Sequence, residues 1–356
     1  MGLSDLLSRA AASRAHVLVV ATPRAFTTRV ALERALLGRG WVQAESPADA
    51  DVLAVCGHEH TALTEELEAV WDAMPGPRVR VDVADPKAVP AVLDRAAEQL
   101  LATDQHVHDA QRRGPVTRHM DHGDMDHGDM DMAPAGIPLA EGAEDRDGLE
   151  MDVLHLSLGP VLPHWPPGLV LHCTLHGDVA TEVQVELVGE PTTGYDAADT
   201  RDSVGVVAAR SCDAVVSVLA LAGWPVGEAV ARRARDACLD GNLRDAAQHL
   251  TRLRRRVVRS WLLRWMLRGI GRLDHAGVQE SGAAQQVAGD VYDRLVALID
   301  RAGQGLRGEA SAAGNSADLV AALPALLAGS ELASLRLAVA SLDLGSALAR
   351  LEAADV

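Results

Sequence analysis

Between His16 and Leu101 apolar runs alternate with helical patterns, and that alternation restricts the possible folds more than any other feature of the chain. HVLVV (His16–Val20) reads as a buried strand, followed by a turn at Thr22–Pro23 and a helix from Phe26 to Leu37. DVLAVCG (Asp51–Gly57) reads as the next strand, with a helix from Thr61 to Met74. Leu63, Leu67, Val70 and Met74 recur at helical spacing and lie on one face. MPGP closes that helix, RVRVDV (Arg78–Val83) supplies a third strand, and Lys87–Leu101 a third helix. Such alternation predicts an α/β domain over 1–103, a parallel sheet with flanking helices.

Over 104–150 the periodicity disappears. The stretch holds five histidines, an imperfect MDHGD repeat and the acidic run EGAEDRDG, and Gly, Asp and Pro dominate it. It reads as a disordered linker. The remainder, 151–356, opens with a small antiparallel β segment over 151–190. Strands are expected at Val153–Leu158, Leu169–Leu175 and Glu182–Val188, joined by connections too short for crossovers. A mainly helical region follows over 200–356. Its helices are expected at Asp202–Leu221, Glu228–Asp240, Leu243–Gly269, Val287–Arg301, Leu319–Leu327 and Ser334–Ala353, with a Gly/Ser/Ala loop at Gly303–Asp318.

With 356 residues, 48% of them apolar, the chain is long enough for two or three cores and is not globally disordered. The formal charge of −17 argues against free nucleic-acid binding. Arginine replaces lysine everywhere but Lys87, a composition typical of a GC-rich genome. The N-terminal residues lack the apolar core of a signal peptide, and no run approaches the ~18 apolar residues of a spanning helix. Cys56, Cys173, Cys212 and Cys238 are widely separated, no CxxC pair occurs, and unspaced cysteines suit a reducing compartment. The expectation is a soluble cytoplasmic protein.

Two stretches carry a family resemblance. ADVLAVCGHEHTALTEELEAVWDAMPGPRVRVDV (Ala50–Val83) resembles the electron-transfer small subunit of nickel–iron hydrogenases and respiratory complex I in its order of D-V-L strand, Gly-containing loop, helix ending near M-P-x-P, and strand. LHLSLGPVLPHWPPGLVLHCTLHGDVATEVQVEL (Leu154–Leu187) resembles the opening hairpin of the large subunit, with Gly159, Pro160 and Pro163 matching G-P-x-H-P and Gly177–Asp178 matching the second turn. ALAGWPVGEAVARRARDACL (Ala220–Leu239) resembles that subunit's arginine-bearing helix pair. AGDVYDRLVALIDRA (Ala288–Ala302) resembles its G-D-x-y-x-R segment through Gly289, Asp290, Tyr292 and Arg294.

The resemblance implies a degenerate fusion of the small and large subunits of the nickel–iron hydrogenase / respiratory complex I family, an oxidoreductase family that includes NADH–quinone oxidoreductase. The small-subunit loops that bear cluster cysteines read ATPRAF and ADPKAV here, without cysteine. Both nickel-binding cysteine pairs are absent as well. Where the family histidine points at a quinone headgroup this chain has Leu162, with His164 two residues on. Pro160, Leu162, Pro163 and His164 are therefore the remnant of a quinone pocket, and no catalytic residue, iron–sulfur cluster or nickel–iron site is expected. The resemblance also implies docking of the two halves on each other, partners among the subunits of a membrane-bound redox complex, and a peripheral position at the inner face of the cell membrane.

Dense ligand chemistry occurs in one place, HMDHGDMDHGDMDM. His119, Met120, His122, Met125, His127, Met130 and Met132 combine imidazoles and thioethers suited to copper or nickel. No rigid zinc spacing is present, and His106 and His108 are further potential ligands. Metal delivery and a solvated tether produced by repeat slippage both stay open. LTRLRRRVVRSWLLRWMLRGIGRL (Leu250–Leu273) places Leu250, Leu253, Val257, Trp261 and Trp265 on one helical face, with Arg252, Arg255, Arg256, Arg259 and Arg268 around the rest. A core helix paired with carboxylates, a membrane-surface helix and a nucleic-acid-binding helix are the three readings of it. An accessory, non-catalytic subunit is the leading functional expectation. The alternatives are a copper or nickel carrier, and an oxidoreductase with an unrecognised cofactor. The last is the weakest, because no GxGxxG lies between a strand and a helix.

Overall fold

The computed structural model describes residues 12–22, 24–57, 63–113, 141–144, 150–188, 204–272, 288–309 and 316–345. The first half is a four-stranded parallel sheet of order β2-β1-β3-β4, formed by β1 (His16–Ala21), β2 (Val42–Gln43), β3 (Val52–Cys56) and β4 (Val79–Val83). Val17 pairs with Val52 and Cys56 with Val83, so β1 and β3 are central. Every residue of β3 is buried, as an apolar run covered on both faces requires. One face of the sheet carries Val17, Val52, Ala54 and Val81 against α1 (Phe26–Arg39) and α3 (Val89–Leu100). The other carries Leu18, Val20, Leu53 and Val55 against Leu63 and Leu67 at the start of α2 (Thr64–Ala73). The period-two strand pattern thus feeds two cores, one on each side of the sheet.

A helix, α4 (Thr103–Arg113), occupies the start of the stretch expected to be an irregular linker, and a strand, β5 (Glu141–Glu144), lies near its end. His106 donates from Nε2 towards the carbonyls of Gln99 (2.9 Å) and Leu100 (3.2 Å), closing the end of α3, and Asp109 pairs with Arg78 at 3.2 Å. These tertiary bonds, invisible to periodicity, hold α4 in place.

The second half begins with an antiparallel sheet of order β5-β6-β7-β8-β9, where β6 is Glu150–Leu158, β7 Leu169–His176, β8 Val179–Leu187 and β9 Ser330–Glu331. It is followed by α5 (Val204–Leu221), α6 (Pro225–Leu239), α7 (Leu243–Arg259), α8 (Trp261–Leu267), α9 (Val291–Gly305), α10 (Ser316–Leu327) and α11 (Leu332–Ser341). Helix α5 is central, packed on α6, α9 and α11. Contrary to the sequence expectation, it is long and apolar enough to cross a membrane, with a mean hydropathy of 1.8. Here Ala208, Cys212, Val215 and Leu219 face the core, while Arg210 and Asp213 face the first half.

The single long arginine-rich helix of the sequence reading is two helices. Ser260, with ψ 100°, ends α7, and its Oγ accepts from the Leu263 N–H at 3.2 Å to start α8. Leu250, Leu253 and Val257 stay buried, but the break turns Leu263 and Leu267 inward in place of Trp261 and Trp265. The two tryptophans are 76% and 72% exposed. Asp290 caps α9 through a reciprocal pair with Asp293 and also accepts from the Gly269 N–H at 2.9 Å. Arg294, pushed down to about 10 by burial that Asp290 and Asp293 only partly offset, donates to Gly289 O (2.7 Å) and Ser341 Oγ (2.8 Å). The Gly-Asp-x-Tyr-x-Arg segment therefore ties α9 to α11 and to the end of α8.

Candidate functional site

Helix α1 is amphipathic twice over. Leu32 and Leu36 face its own sheet, while Phe26 and Val30 are embedded in the core of the second half. Val161 and Val188 of the second half pack on the opposite face of the parallel sheet. The two halves therefore share apolar surface, and the seam between them is closed by ions.

Glu33, 4% exposed, receives Arg235 Nη1 at 2.7 Å and Arg232 Nη1 at 2.9 Å, and Arg29 from its own helix. Arg235 Nη1 also donates to Asp213 at 2.8 Å, and Arg29 bridges to the same carboxylate. Arg232 is held in turn by Glu228 at 2.8 Å. At the rim, Arg34 makes a fork to both oxygens of Asp240, each at 2.8 Å. Burial opposes ionisation of Glu33, but Arg29, Arg235 and Arg232 overcome it and hold its carboxyl well below the usual range. Burial likewise opposes ionisation of Asp213 and is outweighed by Arg29 and Arg235. The guanidiniums of Arg29 and Arg235 are raised, their burial outweighed by Asp213 and Glu33. Arg29, Glu33, Asp213 and Arg235 are therefore all held in their charged forms. The sequence reading missed this group because Arg29 and Glu33 on α1 lie roughly two hundred residues from their partners on α5 and α6.

A cavity of about 120 Å³ opens beside the cluster at the seam. Phe26 and Leu162 give it apolar walls, and Arg29, Arg210 and Asp213 line its polar side. The guanidiniums of Arg210 and Arg29 lie 4.9 Å and 5.7 Å from the centre of the Phe26 ring. The opposite wall is the loop from Pro160 to Pro167. Trp165 pins this loop by donating Nε1 to Leu169 O at 2.7 Å, and Arg336 donates to Pro163 O at 3.0 Å. Gly159 opens it with φ +94°, and a Cβ there would lie 2.2 Å from Leu169 O, so only glycine fits.

All four residues taken from the sequence as a pocket remnant, Pro160, Leu162, Pro163 and His164, line this cavity. His164 adopts the left-handed φ of 57°, unusual for a non-glycine residue. Burial lowers its pKa and Arg232 pushes the same way, with Glu228 and Glu33 pulling back only in part. The imidazole is neutral at pH 7 and offers one donor and one acceptor nitrogen. The expected metal ligands His119, Met120, His122, Met125, His127, Met130 and Met132 lie outside the described residues.

The thiols do not fit the iron–sulfur or nickel–iron groups that the resemblance brings to mind. Cys56, at the end of β3, is fully buried, and burial pushes its thiol up to about 12 despite the Arg29 charge. It belongs to a different core from Cys173, Cys212 and Cys238. Cys212 and Cys238, far apart in the chain, are brought side by side by α5 and α6. The Cys238 sulfur and burial together hold the Cys212 thiol well above its usual value. One buried pair of this kind is short of the four clustered thiolates that either group needs. A Ser157–His172–Glu186 chain, with links of 3.0 Å and 2.7 Å, crosses β6, β7 and β8 on the solvent face of the sheet. His172 and Glu186 are 44% and 57% exposed, as expected of a cross-strand polar ladder.

Comparison with family models, with curated proteins and with solved structures returned no match.

Proposed function

We propose that the chain is an accessory, non-catalytic subunit of a membrane-associated hydrogenase/complex I-like redox complex, related to NADH–quinone oxidoreductase. The observation that carries the reading is the seam. A small-subunit-like half and a large-subunit-like half are clamped by the Arg29–Glu33–Asp213–Arg235 cluster. The cavity beside it is walled by the loop that resembles the family's quinone-facing turn. The two loops that would bear cluster thiolates carry none, and the thiol nearest to them, Cys56, is buried and protonated. On this reading the fused pair keeps the shape of an electron-transfer module and works through its outer surfaces, as a structural member of a larger assembly. Leu162 supplies no proton or hydrogen bond at the turn, consistent with a subunit that conducts no redox chemistry of its own.

The test is affinity purification of the endogenous full-length chain from detergent-solubilised membranes, followed by mass spectrometry. Stoichiometric recovery of NADH–quinone oxidoreductase or hydrogenase subunits is expected. Elution as a lone chain, or with copper-transport proteins in place of redox subunits, overturns the reading.

A further inference from the structure

Helices α7 and α8 present a surface that the other described residues leave exposed. Trp261 and Trp265 are one helical turn apart on α8, and so are Leu262 (50% exposed) and Met266 (43%). Val258, just before the break, is 47% exposed. Four large apolar side chains on a helix of seven residues point away from the core, while Leu263 and Leu267 alone anchor it. Single exposed apolar residues need no explanation, whereas a contiguous group does.

The charge around this group is unusual for the molecule. From Leu250 to Arg272 there are eight arginines and no carboxylate, in a chain whose net charge is −17. Arg254 is engaged by Asp300 at 2.5 Å, and Arg264 lies over the Tyr292 ring at 5.5 Å. Arg252, Arg255, Arg256, Arg259 and Arg268 are exposed and make no ion pair among the described residues. A core helix would turn its arginines to carboxylates, which this chain has in excess. These arginines instead lie exposed on the segments that flank the tryptophans in the chain.

We infer that α8 and the end of α7 form a docking surface for an anionic lipid bilayer. Indole rings suit the boundary between headgroups and acyl chains, being broad and apolar with one polar N–H. Leu262 and Met266 would enter beside them, and the flanking guanidiniums would meet lipid phosphates. A second copy of the chain is a poorer occupant, because two such faces would set ten exposed guanidiniums against one another. Nucleic acid is poorer too, since it offers no apolar layer to take up Leu262 and Met266 beside the two indoles. The inference does not depend on the accessory-subunit reading, because protein-free vesicles are a sufficient probe.

The experiment is flotation of the purified full-length chain with vesicles of phosphatidylcholine, and with vesicles of phosphatidylcholine mixed with phosphatidylglycerol. Binding at least about tenfold tighter to the anionic vesicles is expected, weakened by added salt. Trp261→Ser with Trp265→Ser should lose about tenfold in vesicle binding, and Arg255→Glu with Arg259→Glu should remove the preference for anionic lipid. All four side chains are exposed, so unchanged circular dichroism is expected of both variants. Equal binding to both vesicle types, or no effect of either variant, overturns the proposal. So does a patch-dependent dimer seen by sedimentation without lipid, or a patch-dependent affinity for an RNA oligonucleotide exceeding that for vesicles.

Discussion

Glu33 is the residue on which the seam turns. It answers three guanidiniums, and Arg235, 1% exposed, retains Asp213 and Asp236 as its other partners. Glu33→Gln keeps the shape and removes the charge, so buried positive charge is left undercompensated. Urea denaturation should show a loss of about 3–5 kcal/mol, the usual cost of breaking a buried pair from one side. The acid limb supplies a second reading of the same residue. Because the folded-state pKa of Glu33 is depressed, its stabilisation is complete above the unfolded value of about 4.3 and drains away as pH falls below it. Glu33→Gln should therefore flatten the fall in stability between mildly and strongly acidic pH, and an unchanged slope would place the acid sensitivity elsewhere, on Asp213 first. Cys56 gives a contrasting expectation. Buried, and with its thiol pushed up to about 12, it should resist iodoacetamide at pH 8 in the native protein and react only after denaturation.

At the scale of elements, Asp290 shows how a segment that resembles a family motif serves the fold. It closes the reciprocal cap of α9 and accepts from the Gly269 N–H, so Asp290→Ala should cost about 1–2 kcal/mol in thermal or chemical unfolding. Asp290→Asn, which keeps an acceptor at the cap, should recover most of it. An equal loss in both variants would assign the effect to charge rather than to the cap. The elements themselves were unevenly legible. Strands β1 and β3 stand out because a central strand covered on both faces is apolar almost throughout, as HVLVV and DVLAVC are, and β4 stands out by the alternation of buried Val79, Val81 and Val83 with Arg80 and Asp82. Strands β2 and β9, two residues each, carry no period at all and exist only because Val42 and Ser330 lie beside β1 and β8. The break at Ser260 was hidden for the opposite reason. Trp261 and Trp265 continue the stride of Leu253 and Val257, so the pattern argues for one helix, and only the extended backbone at Ser260 turns that face outward. Of the cavity wall, the Pro160–His164 loop was singled out only through its resemblance to the family turn G-P-x-H-P, and the cavity it lines was not foreseen from the residues themselves. Nor was the ion cluster, since an arginine on a helix gives no sign of a carboxylate partner two hundred residues away.

At the scale of the molecule, the question is whether the halves are one folded body or two bodies on a tether. Phe26 and Val30 sit in the core of the second half, and Val161 and Val188 pack against the first, so separating them would expose apolar surface on both sides. It would also strand Arg235 opposite no glutamate. Buried ion pairs are weak evidence for net stability, but a wrong alignment of these halves would leave Glu33 or Arg235 without its partner across the seam. The Arg34–Asp240 fork at the rim adds orientation at little energetic gain, being exposed. These considerations predict that covalent continuity is dispensable once the chain has folded. A protease site inserted between residues 114 and 140 and cut in the native protein should leave two fragments that co-elute at low micromolar concentration. In Glu33→Arg a fourth guanidinium replaces the central carboxylate, and the nearest ones, on Arg29, Arg232 and Arg235, repel it. The same cut should then release two separately eluting fragments, while uncut Glu33→Arg is held together only by its chain. Wild-type fragments that separate at once would mean the connection, not the seam, holds the halves, and the accessory role would have to rest on one half alone.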